Sequence, residues 1–200
     1  VPKLVKAGFS GPIYATEPTC DLLTYMLPDS GYIQESEVER LNRRNARRGR
    51  AEVTPIYTRE DAENTLSQLK TVEYHEWLPV IDGVRARFWD AGHLLGSASI
   101  EIEIENGDKD DKPTRLLFSG DVGTGEAVFN EAPEAPTDLD YLFVETTYGD
   151  RNRPVISDEE RRELLGQEVQ DALGSGGNLV IPSFAVARTQ ELLVDLAHLF

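Results

Sequence analysis

Nine residues, SASIEIEIE from Ser97 to Glu105, end in an unbroken alternation of isoleucine and glutamate. A repeat of two sends successive side chains to opposite faces of a strand. Ile100, Ile102 and Ile104 fall on one face, and Glu101, Glu103 and Glu105 on the other. The expectation is a strand with one buried and one wet face, as in an antiparallel sheet with one side open to solvent. NGDKDDKPT then reads as a hairpin loop, RLLFSGD as a more buried return strand, and DLDYLFVETTY as a third strand with an apolar middle. Upstream, TVEYHEWLPV and VRARFWDA alternate like strands as well.

The first sixty residues carry a different pattern. GPIYAT, Gly11 to Thr16, is a short strand. PTCDLLTYMLPD places Leu22, Leu23, Met26 and Leu27 at helical spacing. SEVERLNRRNARRG reads as a second helix, with Ser36 and Glu39 as a capping box and Gly49 as its end. A further helix in YTREDAENTLSQLKTV takes Thr58 as its N-cap. Near Gly149 the pattern changes again. A helix from Ser157 to Leu173, opened by Ser157 and Glu160, is followed by GSGG, a buried strand NLVIPS and a helix in VARTQELLVDLAHLF. That order predicts a parallel α/β layer.

Composition narrows the class. Two hundred residues suffice for one core, or for one domain and the start of another. No run approaches eighteen apolar residues, so a membrane-spanning helix is not expected. The opening VPKLVKAGFSG has no signal-peptide layout, and ELLVDLAHLF stops within an amphipathic pattern; the chain is expected to be an internal piece of a longer protein. One cysteine, Cys20, cannot form an internal disulfide, and a reducing, cytoplasmic setting follows as the expectation. The net charge of −16 argues against a generic nucleic-acid binder. The charge is uneven, however. Residues 1–60 hold nine Lys/Arg against eight Asp/Glu, and residues 61–200 hold eleven against twenty-eight. Six arginines crowd into RLNRRNARRGR (Arg40, Arg43, Arg44, Arg47, Arg48 and Arg50). Read as a helix, they face both sides, which leaves a solvated face or an RNA or partner contact as the alternatives.

Three ionisable residues stand where a predicted strand ends. His93 follows RARFWDA, Asp121 closes RLLFSGD, and Glu145 closes YLFVE. Sites gather at strand ends because loops there expose side chains held by a rigid sheet. Glycines bracket His93 (Gly92, Gly96) and Asp121 (Gly120, Gly123). Imidazole nitrogen and carboxylate oxygen suit zinc, and a carboxylate can bridge two metals. One histidine and one aspartate do not make a metal site. A turn histidine, an Asp-Gly-type turn and a salt-bridge glutamate are the alternative readings.

DAGHLLGSASIEIE, LLFSGDVG, FVETTYGDR and IPSFAVARTQELL occur in that order. Together they resemble the β-CASP branch of the metallo-β-lactamase superfamily, whose members are RNA- and DNA-processing nucleases. The resemblance covers nearly the whole chain. It implies an α/β fold: part of a metallo-β-lactamase-like αββα sandwich over residues 1–148, and the start of an inserted β-CASP α/β domain over 149–200. It implies that His93 completes the ligand set of one zinc, that Asp121 bridges two zincs, and that Glu145 orients a histidine further along the chain. Ser183, the nearby backbone amides and Arg188 would face a phosphate at a helix start; a helix cap and a surface ion pair are the alternatives. His75 and His198 fit none of the family roles.

The family's His-x-His-x-Asp-His signature is expected upstream of Val1, and its general-acid histidine and last zinc ligand beyond Phe200. The longer protein would hold two Zn²⁺, while this chain alone would bind zinc weakly or not at all and be inactive. The implied activity is metal-dependent hydrolysis of phosphodiester bonds, with RNA the expected substrate and DNA the alternative. No membrane partner is expected. Exposed sheet edges would favour a homodimer. A non-catalytic β-CASP scaffold and a small-molecule hydrolase of the same superfamily are the competing readings. Retention of His93 and Asp121 argues against the first, and ETTYGDR followed by IPSFAVARTQEL against the second.

Overall fold

The computed structural model describes residues 1–107, 112–125, 129, 131–152 and 156–199. The chain is α/β. Its largest sheet has five strands in chain order: β3 (Leu78–Ile81), β4 (Val84–Asp90), β5 (Ala98–Ile104), β6 (Thr114–Phe118) and β7 (Tyr141–Phe143). The first three pairings are antiparallel, and β6 and β7 are parallel. β4, β6 and β7 therefore point the same way and end on one edge of the sheet. The loop between β5 and β6, expected at 106–114, lies partly outside the described residues.

The alternation in β5 is real, but its acidic face is not wet. Ser99, Glu101 and Glu103 are buried, whereas Ile104 is exposed. The register explains this: Arg87 lies opposite Glu101, and Arg85 and Arg115 flank Glu103. Glu101 is fully buried and accepts from Arg87 Nε at 3.0 Å, Arg115 Nε at 2.8 Å and Trp89 Nε1 at 2.9 Å. Glu103 accepts from Arg85 Nε at 2.8 Å. The Arg85 and Arg87 guanidiniums both lie 4.3 Å from the Trp77 ring centroid. Burial alone would raise the Glu101 pKa, but its bonds to Arg115, Trp89 and Arg87 outweigh it and hold the carboxyl below its ordinary value. On the other face, Phe118 and Phe143 stack at 4.7 Å.

Before this sheet come α1 (Pro2–Lys6), β1 (Ile13–Thr16), α2 (Glu17–Arg47), α3 (Arg59–Leu66) and β2 (Leu69–Val72). β1 and β2 pair in parallel, joined through the two longer helices. The two helices expected over residues 18–49 are one. α2 runs unbroken for 31 residues with Pro28 inside it, and Ser36 lies mid-helix rather than at a cap. Tertiary contact carries the chain through this point. Buried Gly31 lies against the start of α3, where a Cβ would come within 2.7 Å of the Arg59 backbone. Ser30 Oγ lies 2.8 Å from the Tyr57 hydroxyl. Thr58 caps α3 as expected, with Asp61 returning the bond to close a capping box. TVEYHEWLPV also divides: β2 ends at Val72, Tyr74 bridges to Phe88, and His75 turns the chain at φ 66 before β3 begins.

After β7, α4 (Asp158–Gly174) starts at Ser157, whose hydroxyl accepts the Glu160 amide at 3.2 Å. It pairs with α5 (Arg188–Leu199) through Asp195, which is buried and gripped by Arg161 and Arg162. The strand expected at NLVIPS does not form, and Val180 is 84% exposed. No described strand lies beside it, so the predicted parallel layer is absent among the described residues.

Candidate metal centre

The shared direction of β4, β6 and β7 brings His93, Asp121 and Glu145 to one edge of the sheet. His93 and Asp121 nevertheless follow strands separated by β5, about 10 Å apart at ordinary strand spacing. Their loops close that gap over the start of β5. The Gly123 amide donates to Ala91 O at 2.8 Å. A Cβ on Gly123 would lie 1.8 Å from the Gly92 carbonyl oxygen, so only glycine fits at this crossing. As a result His93 Nε2 lies 3.9 Å from Asp121 Oδ2.

Each loop is braced from within. Ser97 Oγ accepts the amides of His93 at 3.0 Å and Leu94 at 3.1 Å. Asp90 Oδ1 accepts the Gly92 amide at 2.8 Å. The loop also docks on the start of α2, where the Thr16 and Thr19 hydroxyls both donate to Gly96 O, at 2.7 and 2.8 Å. Tyr74 donates to Ser97 O at 2.9 Å, and burial pushes its hydroxyl pKa up to about 12. On the other side, Ser99 Oγ donates to Ser119 O, and Ser119 Oγ accepts the Glu145 amide at 3.0 Å.

Glu145 faces this site. Its carboxylate accepts the Val122 amide at 2.9 Å and the Thr147 amide at 3.4 Å. The Val122 bond is the chief reason its pKa is lowered, with the Thr147 bonds and the charge of His93 acting in the same direction. Imidazole and carboxylate are the donor types zinc takes. Two such donors at this separation, both partly open to solvent, fit part of a ligand set. No third His, Cys, Asp or Glu joins them in a metal-holding group among the described residues.

The remaining candidates lie elsewhere. His75 Nε2 meets Glu134 Oε2 at 2.5 Å and packs edge-on against Trp89. His198 Nδ1 lies 2.8 Å from Val194 O. Ser183 and Arg188 are exposed at the entry to α5. Arg188 pairs with Glu191 at 2.8 Å, and the Arg188 and Thr189 amides are taken by Val186 O and Phe184 O. Those two amides face the chain itself rather than a ligand. Burial and the neighbouring Asp21 and Glu17 raise the Cys20 pKa.

No family model matches the chain. Ribonuclease TTHA0252 of Thermus thermophilus is 34% identical over 197 residues, which cover 98% of this chain and 39% of the relative. The RNase J-like protein of Methanocaldococcus jannaschii is 30% identical over 188 residues, covering 91% and 37%. Endoribonuclease YSH1 of Candida glabrata is 29% identical over 192 residues, covering 96% and 23%. The chain belongs to the β-CASP family.

This β-CASP chain spans less than two fifths of the length of these relatives. Its first three motifs meet at the sheet edge described above, and the fourth forms the entry to α5. Sequence reasoning missed the residues that brace the loops: Asp90, Ser97 and Ser119. Their signal was present as small polar residues beside each glycine turn. The sequence alone marks Gly123 only as one of the glycines bracketing Asp121; its particular role is to let the backbone touch that of Gly92.

Proposed function

We propose that the protein carrying this chain is a metal-dependent ribonuclease. The observation that carries the reading is the approach of His93 Nε2 to Asp121 Oδ2 from separate strand ends. Its relatives are named ribonuclease and endoribonuclease, which favours RNA over DNA. In this reading His93 and Asp121 would hold zinc together with ligands supplied from outside the chain. When bound, the zinc pair would activate water and stabilise charge on the phosphoryl oxygens. The chain's own residues fix the donors. Ser97 closes the His93 loop, Gly123 sets the distance between the loops, and Glu145 holds the backbone beside Asp121. We assign residues 1–148 to a partial αββα sandwich and 149–200 to the start of the β-CASP domain. No described helix is long and apolar enough to cross a membrane, and the lone buried Cys20 fits a reducing, cytoplasmic setting.

The test uses the full-length protein stripped of metal and resupplied with zinc, with labelled RNA and DNA of one sequence. Zinc-dependent cleavage of the RNA supports the reading. Cleavage of DNA alone replaces the substrate, and cleavage of neither nucleic acid overturns it.

A further inference from the structure

The six arginines between Arg40 and Arg50 stand apart from every other described arginine. Each described arginine outside this segment sits in an ion pair with a carboxylate. Among the described residues, none of these six does, although all are exposed. Glu39 stands four residues before Arg43, a favourable helical pairing position, and still makes no ion pair with it. In a chain of net charge −16, this is a concentrated and unneutralised positive surface.

α2 ends at Arg47, so Arg48 and Arg50 lie beyond it, and the four arginines within the helix do not face both sides. Arg40, Arg43, Arg44 and Arg47 stand at i, i+3, i+4 and i+7, a single stripe. Asn45, near the opposite face, is buried and donates to Ala51 O at 3.2 Å. Asn42, also away from the stripe, ties down Val53 through two bonds, so the following loop folds back along the other side of the helix and leaves the stripe uncovered by it. Favourable interaction with the helix dipole accounts only for the last turn, Arg44 and Arg47. The stripe rises about 10 Å, the length of roughly three phosphates along one stacked strand. The other end of α2 docks on Gly96 in the His93 loop. Arg40 lies 23 residues into the helix from Glu17, so the stripe begins about 35 Å along α2 from that loop. At about 3.4 Å per nucleotide, an RNA would need on the order of ten nucleotides to reach both.

We propose that the α2 stripe is a second binding surface for the RNA phosphate backbone, used only by substrates long enough to extend from the candidate metal centre. The proposal rests on the ribonuclease reading. Its test compares the full-length protein with R40Q/R43Q/R44Q/R47Q and with the same four positions changed to lysine. Binding of RNAs of about thirty and about six nucleotides is measured over a salt series in a chelator, so that no cleavage is needed. Cleavage of both lengths is measured separately with zinc. The glutamine variant should bind the long RNA about tenfold or more weakly at low salt, with the salt slope reduced by about 0.7 for each phosphate that the arginines no longer neutralise. Cleavage of the short RNA should not change, and lysine should restore most of the long-RNA affinity. Unchanged long-RNA affinity and salt slope would overturn the proposal and leave the stripe to solvent or a protein partner. Equal losses on both lengths would overturn it as well. If the wild type cleaves neither RNA, the ribonuclease reading fails, while the binding series still decides whether the stripe holds RNA.

Discussion

The Glu145 carboxylate accepts the backbone amide of Val122 at 2.9 Å and so holds the residue next to Asp121. This bond gives Glu145 work within the chain, separate from the orientation of a distant histidine that the family resemblance implies. Glu145→Ala should therefore lower both zinc affinity and RNA cleavage of the full-length protein by about 10–100-fold, the usual cost of losing a group that orients a ligand. Glu145→Gln keeps an acceptor oxygen for Val122 and should lose less. Metal competition and kcat/KM on the three proteins check this; equal losses in both variants would show that charge, not the amide bond, matters.

Gly123 sets the distance between the two candidate donors. A methyl group there would collide with the Gly92 carbonyl at 1.8 Å, against backbone that no side-chain rotation can move aside. Gly123→Ala should separate the loops and abolish zinc-dependent cleavage, with helix content unchanged by circular dichroism. Wild-type cleavage in this variant would mean that the loops need not touch.

The buried Glu101 makes the sheet sensitive to acid. Its pKa is lowered on folding, so the unfolded chain binds more protons than the native one and stability falls as pH falls. The Glu101 contribution is present above the ordinary carboxylate range and is lost as the pH drops through its folded value. Glu101→Gln leaves Arg87 and Arg115 without their counter-charge, which should cost about 3–5 kcal/mol near neutral pH. It should also flatten the acid limb of the stability profile. Urea unfolding followed by tryptophan fluorescence reads this directly, since both tryptophans, Trp77 and Trp89, lie against Arg87.

Thr58 caps α3 and shares a reciprocal pair of bonds with Asp61. Thr58→Ala should cost about 1 kcal/mol, and Thr58→Ser should cost little, as measured by urea unfolding.

What the sequence made legible was local. The Thr58 cap and the core strands β4, β5 and β6 could be read because each depends on a few neighbouring residues. The strand-end positions of His93, Asp121 and Glu145 were legible for the same reason. What escaped depended on partners distant in the chain. Pro28 reads as a helix end until Gly31 is seen receiving the backbone of Arg59. The glutamates of β5 read as wet because alternation separates two faces without saying which one is covered. Arg85, Arg87 and Arg115 decide that, and they meet the glutamates only once the register is fixed. NLVIPS is apolar enough for a strand, but no described strand lies beside it to take its hydrogen bonds.

The most direct test of the metal-centre reading is the zinc content of full-length Asp121→Ala beside wild type, with RNA cleavage measured on the same preparations. An intact fold by circular dichroism, a loss of bound zinc and no cleavage are the predicted results. Wild-type zinc content together with wild-type cleavage would contradict the reading.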